Sequence, residues 1–148
     1  MEEFNPLKLE NQLCFPIYAC AREIAKAYTP FLDEIDLTYT QYVTMMVMWE
    51  KENISFKELG KKLFLDSGTL TPVIKNLEKK GFVSKQRDSL DERNVIVSIT
   101  DSGKALREKA KDIPSKMLCA YKLSEDDGKE LYSLIYKLLN VISNEENK

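Results

Sequence analysis

Residues 65–100 read LDSGTLTPVIKNLEKKGFVSKQRDSLDERNVIVSIT, and this stretch decides the fold. Small hydroxylated residues open a short helix that ends in two lysines before Gly81. Two segments in which apolar and polar residues alternate then follow, one on each side of a charged loop. A capping-box pattern at Ser55–Glu58 opens another short helix just before this stretch. Two short helices followed by a hairpin predict a winged helix-turn-helix.

The boundaries of these elements follow from the same residues. Asp66 or Ser67 can cap the second helix, and Pro72 lies so far inside it that we expect an irregular first turn or a later start. The wing strands are expected at Phe82–Arg87 and Val95–Ile99, joined by the charged loop. Lysines close the helix, where they complement its dipole.

Apolar spacing outside this stretch predicts further helices. One begins near Leu13 or Cys14, with Pro16 in its first turn, and the apolar run 42–49 predicts a central buried helix. Two more helices are expected after Thr100 and Ser124. The fold class is therefore mostly α with a small β wing: a winged helix-turn-helix with N- and C-terminal dimerisation helices.

The domain organisation follows from the order of these elements. We expect a single domain over residues 1–148, with dimerisation helices at about 10–48 and 101–145 and a DNA-binding helix-turn-helix and wing at about 54–100. Terminal helices with apolar stripes and few partners in a small chain favour a homodimer. A two-fold dimer would present two DNA-binding helix-turn-helix units to a pseudo-palindromic double-stranded DNA operator.

Composition restricts the class of protein. Of 148 residues, 43% are hydrophobic and 31% charged, which is ordinary for a globular domain. No apolar run approaches the length of a membrane span, so no membrane partner is expected. The acidic segment 1–11 lacks the pattern of a signal peptide, which makes the cytoplasm the expected location.

The chain has no histidine and three cysteines without a CxxC pair. The missing histidines exclude imidazole acid–base catalysis and imidazole metal ligands. The cysteine pattern favours neither a zinc site nor a disulfide framework. We therefore predict no metal and no cofactor. An enzyme would have to use carboxylates, lysine, tyrosine or a bare thiol, and because the segment 65–100 favours DNA binding we predict that the protein is not an enzyme.

Charge is unevenly distributed along the chain, whose net charge is −2. Residues 51–110 contain 13 basic and 9 acidic residues, a net of +4, whereas the rest contains 9 basic and 15 acidic residues, a net of −6. A basic middle between acidic ends favours one surface that meets phosphate.

Several side chains of the deciding stretch are candidates for DNA contact. Hydroxyls and free N–H groups at a helix start can meet phosphates and base edges, and an arginine in the wing loop can enter the minor groove. Each residue taken singly is also compatible with simple capping or solvation of a turn, although the combination favours DNA. The candidate DNA-binding residues are Ser67, Thr69, Thr71, Lys75, Lys85, Arg87, Asp91 and Arg93, with Asp91 expected to orient Arg93.

A family resemblance rests on four short segments. The wing Asp91–Val95 and the helix Leu65–Pro72 resemble the MarR family of dimeric repressors. Asn11–Phe15 and Leu37–Tyr39, together with Leu65–Pro72, are similar to the branch of that family that senses organic hydroperoxides. The resemblance covers nearly the whole chain.

Cys14 is the residue on which a sensing role depends. A lone cysteine is often a plain core residue, but Cys14 lies by a first helical turn, where the helix dipole favours the thiolate. The resemblance implies that Cys14 reacts with peroxide, that Tyr28 and Tyr39 hydrogen-bond its sulfur across the dimer, and that Tyr18 lines the same pocket.

The other two cysteines receive different interpretations. The resemblance makes Cys119 a possible resolving thiol, because two-cysteine members of the branch carry one at that place. An intersubunit disulfide and a mixed disulfide with a small thiol both stay open. Cys20, six residues past Cys14, is interpreted as a core residue or a bystander.

The function that follows is a dimeric DNA-binding repressor that releases its operator when an organic hydroperoxide oxidises Cys14. Three alternatives stay open. The first is a MarR-family regulator that responds to a phenolic ligand instead of thiol oxidation. The second is a thiol peroxidase. Such an enzyme needs a group that stabilises the peroxide leaving group, and the arginine nearest to Cys14 in the sequence is Arg22, two helical turns away, which argues against it. The third is a DNA-binding protein without an effector.

Overall fold

The computed structural model describes residues 5–145. Residues 1–4 of the acidic N-terminal segment and residues 146–148 of the expected single domain lie outside that range. A 3-10 turn at Leu9–Asn11 precedes the first helix. The helices are α1 (Cys14–Asp33), α2 (Tyr39–Lys51), α3 (Phe56–Leu63), α4 (Ser67–Lys79), α5 (Asp101–Ala110), α6 (Ile113–Tyr121) and α7 (Glu125–Glu145), and the strands are β1 (Asn53–Ser55), β2 (Val83–Arg87) and β3 (Val95–Ile99).

The wing is a three-stranded antiparallel sheet in the order β1-β3-β2. Val97 at the middle of β3 is fully buried and pairs with Ile54 on one side and Lys85 on the other. The expectation of a two-stranded wing was therefore wrong by one strand. β1 is three residues long, too short to show the alternation by which strands are recognised in a sequence.

The second helix of the helix-turn-helix, α4, begins at Ser67 and runs unbroken through Pro72. The expected irregular first turn or later start was therefore wrong. Asp66 caps the helix by accepting a hydrogen bond of 2.7 Å from the backbone N–H three residues on. Pro72 removes one N–H, whose helical partner would be the carbonyl of Gly68; Gly68 is exposed, so water can hydrate that oxygen.

The hydrophobic core lies where α2 meets α3, α4 and the wing. Because α2 supplies an apolar run with few polar interruptions, Met45 and Met48 are fully buried at its centre. Facing them, the fully buried side chains from the other elements are Leu59, Leu70, Ile74, Leu77 and Val97. This packing fixes α4 and the wing against a rigid support.

The junction between α2 and α5 leaves no space for a side chain at Gly103. The indole Nε1 of Trp49 donates a hydrogen bond of 2.9 Å to the Gly103 carbonyl. A Cβ atom at Gly103 would lie 2.2 Å from the backbone oxygen of Phe82. Since backbone cannot rotate away, α5 or the start of the wing would have to shift.

We therefore expect Gly103→Ala to lower the free energy of unfolding by about 1–3 kcal/mol through this overlap. Urea unfolding followed by circular dichroism measures the change. Gly128→Ala is the matched control, because a Cβ there meets nothing within 4 Å. The control is expected to be as stable as the parent or slightly more stable. Equal urea midpoints for the two variants would contradict the packing at Gly103.

The C-terminal helix α7 keeps its apolar side chains on the surface of the chain. None of its described residues is buried, although a stripe of leucine, isoleucine and valine runs along it. No helix within residues 5–145 combines the length and apolarity that crossing a membrane requires. The exposed large apolar residues of this helix are Leu131, Tyr132, Leu134, Ile135, Tyr136, Val141 and Ile142.

Candidate nucleic-acid interface and redox site

The helix α4 has one buried and one exposed face. Leu70, Ile74 and Leu77 point into the core, so the opposite face is turned outward. The Thr71 hydroxyl donates a 2.6 Å hydrogen bond to the Ser67 carbonyl, which commits its hydrogen within the helix. The candidates on the exposed face are Ser67, Thr69, Thr71 and Lys75.

The tip of the wing is held by one arginine–aspartate pair. Arg93 donates from Nε to Asp91 Oδ1 at 3.0 Å and from Nη2 to Oδ2 at 3.2 Å, while its own backbone N–H also bonds Asp91. The Arg93 side chain is 90% exposed. These bonds from Arg93 hold the pKa of Asp91 below its ordinary value, so the carboxylate is charged at neutral pH. Asp91 thus orients the exposed guanidinium of Arg93 at the wing tip.

Two other wing candidates have partners within the chain. Lys85 Nζ lies 3.8 Å from a carboxylate oxygen of Glu78 on α4. Arg87 Nη1 donates a 2.7 Å hydrogen bond to the backbone carbonyl of Glu92 in the wing loop. Both side chains are placed to hold the wing in shape, and their contact with DNA stays a prediction.

Tyrosine rings gather where the C-terminal half of α1 meets the start of α2. The ring centres of Tyr28 and Tyr39 are 5.1 Å apart, and Tyr42 lies 5.7 Å from Tyr28. Burial is the main reason that the pKa values of Tyr28 and Tyr42 rise to about 12, and burial raises the pKa of Tyr39 as well. The hydroxyls therefore stay protonated at physiological pH and can donate hydrogen bonds.

Sequence reasoning missed two members of this tyrosine cluster. Tyr42 lies three residues after Tyr39, so helical spacing alone could have placed both on one face. Tyr121 of α6 shares a side-chain hydrogen bond with Tyr28, and this bond also raises the pKa of Tyr28. No local signal in the sequence joins two residues so far apart.

Cys14 is an exposed thiol at the first position of α1. A surface groove of about 560 Å³ lies beside it, lined by residues that include Leu9, Phe15 and Pro16. Tyr18 follows one helical turn later on the same side of α1, where the guanidinium carbon of Arg22 lies 5.4 Å from its ring centre. The thiol end of α1 is thus open and largely apolar.

Cys20 is also exposed. The interpretation of Cys20 as a core residue was therefore wrong, and its role as a bystander stays a prediction. Its position six residues after Cys14 places it on a different side of the helix, because each residue turns the helix by about 100°.

Within one chain, the thiol and the tyrosine cluster lie at opposite ends of α1. Cys14 and Tyr28 are 14 residues apart in the same helix, which corresponds to about 21 Å. Cys119 lies at the tyrosine end, because Tyr121, two residues on, bonds Tyr28. A disulfide requires Cα atoms within about 7 Å. One chain alone therefore brings Cys14 neither to the tyrosines nor to Cys119.

The chain is similar to known regulators over most of its length. Residues 26–113 match the family model described as transcriptional regulator SarA/Rot. The organic hydroperoxide resistance transcriptional regulator of Bacillus subtilis is 46% identical over 140 residues, which cover 95% of each chain. The HTH-type transcriptional regulator SarZ of Staphylococcus aureus is 43% identical, with 91% of this chain and 89% of that protein covered.

A solved structure agrees with these relatives. Reduced AbfR bound to DNA, a protein of Staphylococcus epidermidis, superposes with a TM-score of 0.76 at 32% identity and covers 90% of this chain and 94% of that chain. The winged helix-turn-helix of this chain therefore matches the fold of the MarR/SarA-type regulators. The chain belongs to the MarR family of transcriptional regulators, which are not enzymes, in the branch of the SarA/Rot and organic hydroperoxide resistance regulators.

Proposed function

We propose that this protein is a homodimeric repressor that binds an operator in double-stranded DNA and releases it when an organic hydroperoxide oxidises Cys14. It acts in the cytoplasm, where thiols are kept reduced. Residues 10–48 and 101–145 form the dimerisation helices, and residues 54–100 form the DNA-binding part. The observation that carries the proposal is the separation of Cys14 from the tyrosine cluster along α1.

A dimer completes the site that one chain leaves divided. If two α1 helices pack antiparallel, Cys14 of one chain meets Tyr28 and Tyr39 of the second copy. The protonated hydroxyls of Tyr28 and Tyr39 lie at that end, and such donors stabilise a thiolate by hydrogen bonding. The unburied apolar stripe of α7 supports the same assembly, because a helix of 21 residues gains little stability without packing.

The chemistry needs only the thiol and the peroxide. The Cys14 thiolate attacks one peroxide oxygen, the O–O bond breaks, and the leaving alkoxide takes a proton to become an alcohol. Cys14 is then a sulfenic acid. A thiol condenses with it, water leaves, and a disulfide forms. That thiol is either Cys119 of the second copy or a small cellular thiol.

The surroundings of the thiol favour organic hydroperoxides over hydrogen peroxide. The groove beside Cys14 is lined by the apolar side chains of Leu9, Phe15 and Pro16 on one part and by Lys8, Glu10 and Gln12 on the other. An alkyl or aryl peroxide can bury its carbon skeleton there, whereas hydrogen peroxide has none to bury. The preference for organic hydroperoxides therefore comes from burial of the carbon skeleton that leaves as the alcohol.

DNA release requires only a small change in geometry. Oxidation removes the sulfur from its tyrosine partners, shifts α1 and changes the distance between the two α4 helices of the dimer. A change of about 1.4 kcal/mol in binding already alters affinity tenfold. Because lysine and arginine meet phosphates, binding is also expected to weaken steeply with salt.

Peptide mass spectrometry of hydroperoxide-treated protein tests which thiol reacts. We expect one equivalent of cumene hydroperoxide to modify Cys14 and to leave Cys20 reduced. A Cys14–Cys119 link between chains would appear as a cross-linked peptide that reductant removes. Modification of Cys20 with Cys14 still a free thiol would contradict the assignment, whereas a small-thiol adduct on Cys14 would select the mixed disulfide.

A phenolic effector is the second candidate. A cleft of about 510 Å³ between α2 and α5 has aromatic walls, Tyr42 and Trp49, that can hold a phenolic ring. Its charged lining is mixed, because Arg107 and Lys111 are accompanied by Glu50 and Glu108, and Glu108 pairs with Lys111 at 2.8 Å. Protein with alkylated cysteines separates the two functions. Release of DNA by a phenolic acid after alkylation would favour the ligand, whereas loss of all response favours the thiol.

A further inference from the structure

We propose that Lys80 is a positioning residue that transmits the state of the thiol site to the DNA-reading helix. The inference rests on the proposed function and adds the connection within each chain. Lys80 directly follows α4, and its side chain reaches back to the turn between α1 and α2. Sequence analysis gave the lysines at this helix end only an interaction with the helix dipole.

The Lys80 ammonium meets three oxygen acceptors. It donates hydrogen bonds to the backbone carbonyl of Asp36 and to Gln41 Oε1, the latter at 3.2 Å, and it lies 3.4 Å from the Asp36 carboxylate. Only 26% of the Lys80 side chain is exposed. Such a fixed lysine differs from Lys79 beside it, which is exposed. The contacts give the end of α4 a defined position relative to the α1–α2 turn.

Gln41 connects this lysine to the sensing tyrosine. Gln41 is 6% exposed, and its Oε1 also accepts a 3.1 Å hydrogen bond from the backbone N–H of Thr38. The Thr38 hydroxyl in turn accepts from the Gln41 N–H at 3.3 Å, which completes the capping box of α2. Tyr39 and Thr40 lie between the two residues of this box, and Tyr39 is the first residue of α2. Lys80 therefore bonds directly to the structure that orients Tyr39.

Asp36 extends the same connection to α1. Its φ angle of 52° marks the sharp turn between α1 and α2, and the following Leu37 bonds back to the Leu32 carbonyl near the end of α1. Movement of the end of α1 or of the start of α2 therefore moves an oxygen atom to which Lys80 bonds. When oxidised Cys14 displaces Tyr39 of the second copy, the capping box shifts, and Lys80 carries that shift to α4.

The test compares Lys80→Met with Lys79→Met, which removes the same charge one residue earlier. Operator affinity is measured by fluorescence anisotropy before and after cumene hydroperoxide, on samples whose Cys14 oxidation is confirmed by mass spectrometry. We expect Lys80→Met to reduce the oxidation-induced loss of affinity at least fivefold, a typical size for coupling between two sites. Lys79→Met should keep the full loss, and Lys80→Arg should keep most of it.

A second variant approaches the connection from its other end. Gln41→Met removes the shared acceptor and is expected to weaken the response to oxidation in the same direction. Urea unfolding of each variant separates coupling from stability, because a purely structural tie would lower stability and leave the ratio of oxidised to reduced affinity unchanged. That unchanged ratio, in folded Lys80→Met and Gln41→Met, would overturn the inference. Failure of the wild-type protein to release DNA on oxidation would instead overturn the proposed function and the inference with it.

Discussion

Replacing Cys14 with Ser is expected to leave operator binding within a few-fold of the parent and to abolish release by cumene hydroperoxide. Serine keeps nearly the size of cysteine and can accept the same hydrogen bonds from tyrosine hydroxyls, but its oxygen is not oxidised by a peroxide. The expected effect is therefore complete loss of the response. Fluorescence anisotropy with a labelled operator, with and without hydroperoxide, measures both quantities.

Cys20→Ser is the matched control for this experiment. Cys20 is exposed on the same helix, so the control has the same chemical change at a similar accessibility. We expect the control to be released like the parent. Release of the Cys14→Ser variant by hydroperoxide would show that another group senses the oxidant.

Replacing Arg93 with Ala is expected to weaken operator binding at least tenfold. Arg93 is the exposed cation at the wing tip, held by two bonds from its guanidinium to Asp91. An arginine inserted in a groove contributes about 1–3 kcal/mol, and a dimer inserts two. Anisotropy titrations at several salt concentrations measure the loss.

The control for Arg93 removes a cation from another part of the chain. Lys129 lies on α7, where it pairs with Glu125 one turn earlier. Lys129→Ala changes the net charge equally but should bind DNA like the parent. Asp91→Ala should fall between the two, because Arg93 keeps its charge and loses its orientation. Equal affinities for Arg93→Ala and the parent would exclude wing insertion.

Much of the fold followed from local sequence signals. Asp66 accepts from a backbone N–H as a helix cap should, and the strands of the wing begin and end within one residue of the alternating segments. Local sequence signals failed at β1 and at Pro72, where the surroundings of a residue decide which structure it adopts. β1 forms because Ile54 pairs with buried Val97. α4 runs through Pro72 because the Gly68 carbonyl that loses its helical partner is exposed to water.

The sensing site could be predicted only in part, for a physical reason. Cys14 and Tyr39 lie in short segments whose resemblance to a family is visible in the sequence. Tyr121 and Lys80 act through contacts over about 40 to 90 residues of chain, and no periodicity connects such positions. The separation of Cys14 from the tyrosine cluster is likewise set by the length of α1 and not by any motif.

In the proposed mechanism, the oxidation state of Cys14 sets operator affinity. The most direct measurement titrates the protein–operator complex with cumene hydroperoxide and determines, on the same samples, the fraction of DNA bound and the fraction of Cys14 oxidised. We predict that DNA is released in step with Cys14 oxidation and that reductant restores both. Full oxidation of Cys14 with DNA still bound, or release with Cys14 still reduced, would contradict this mechanism.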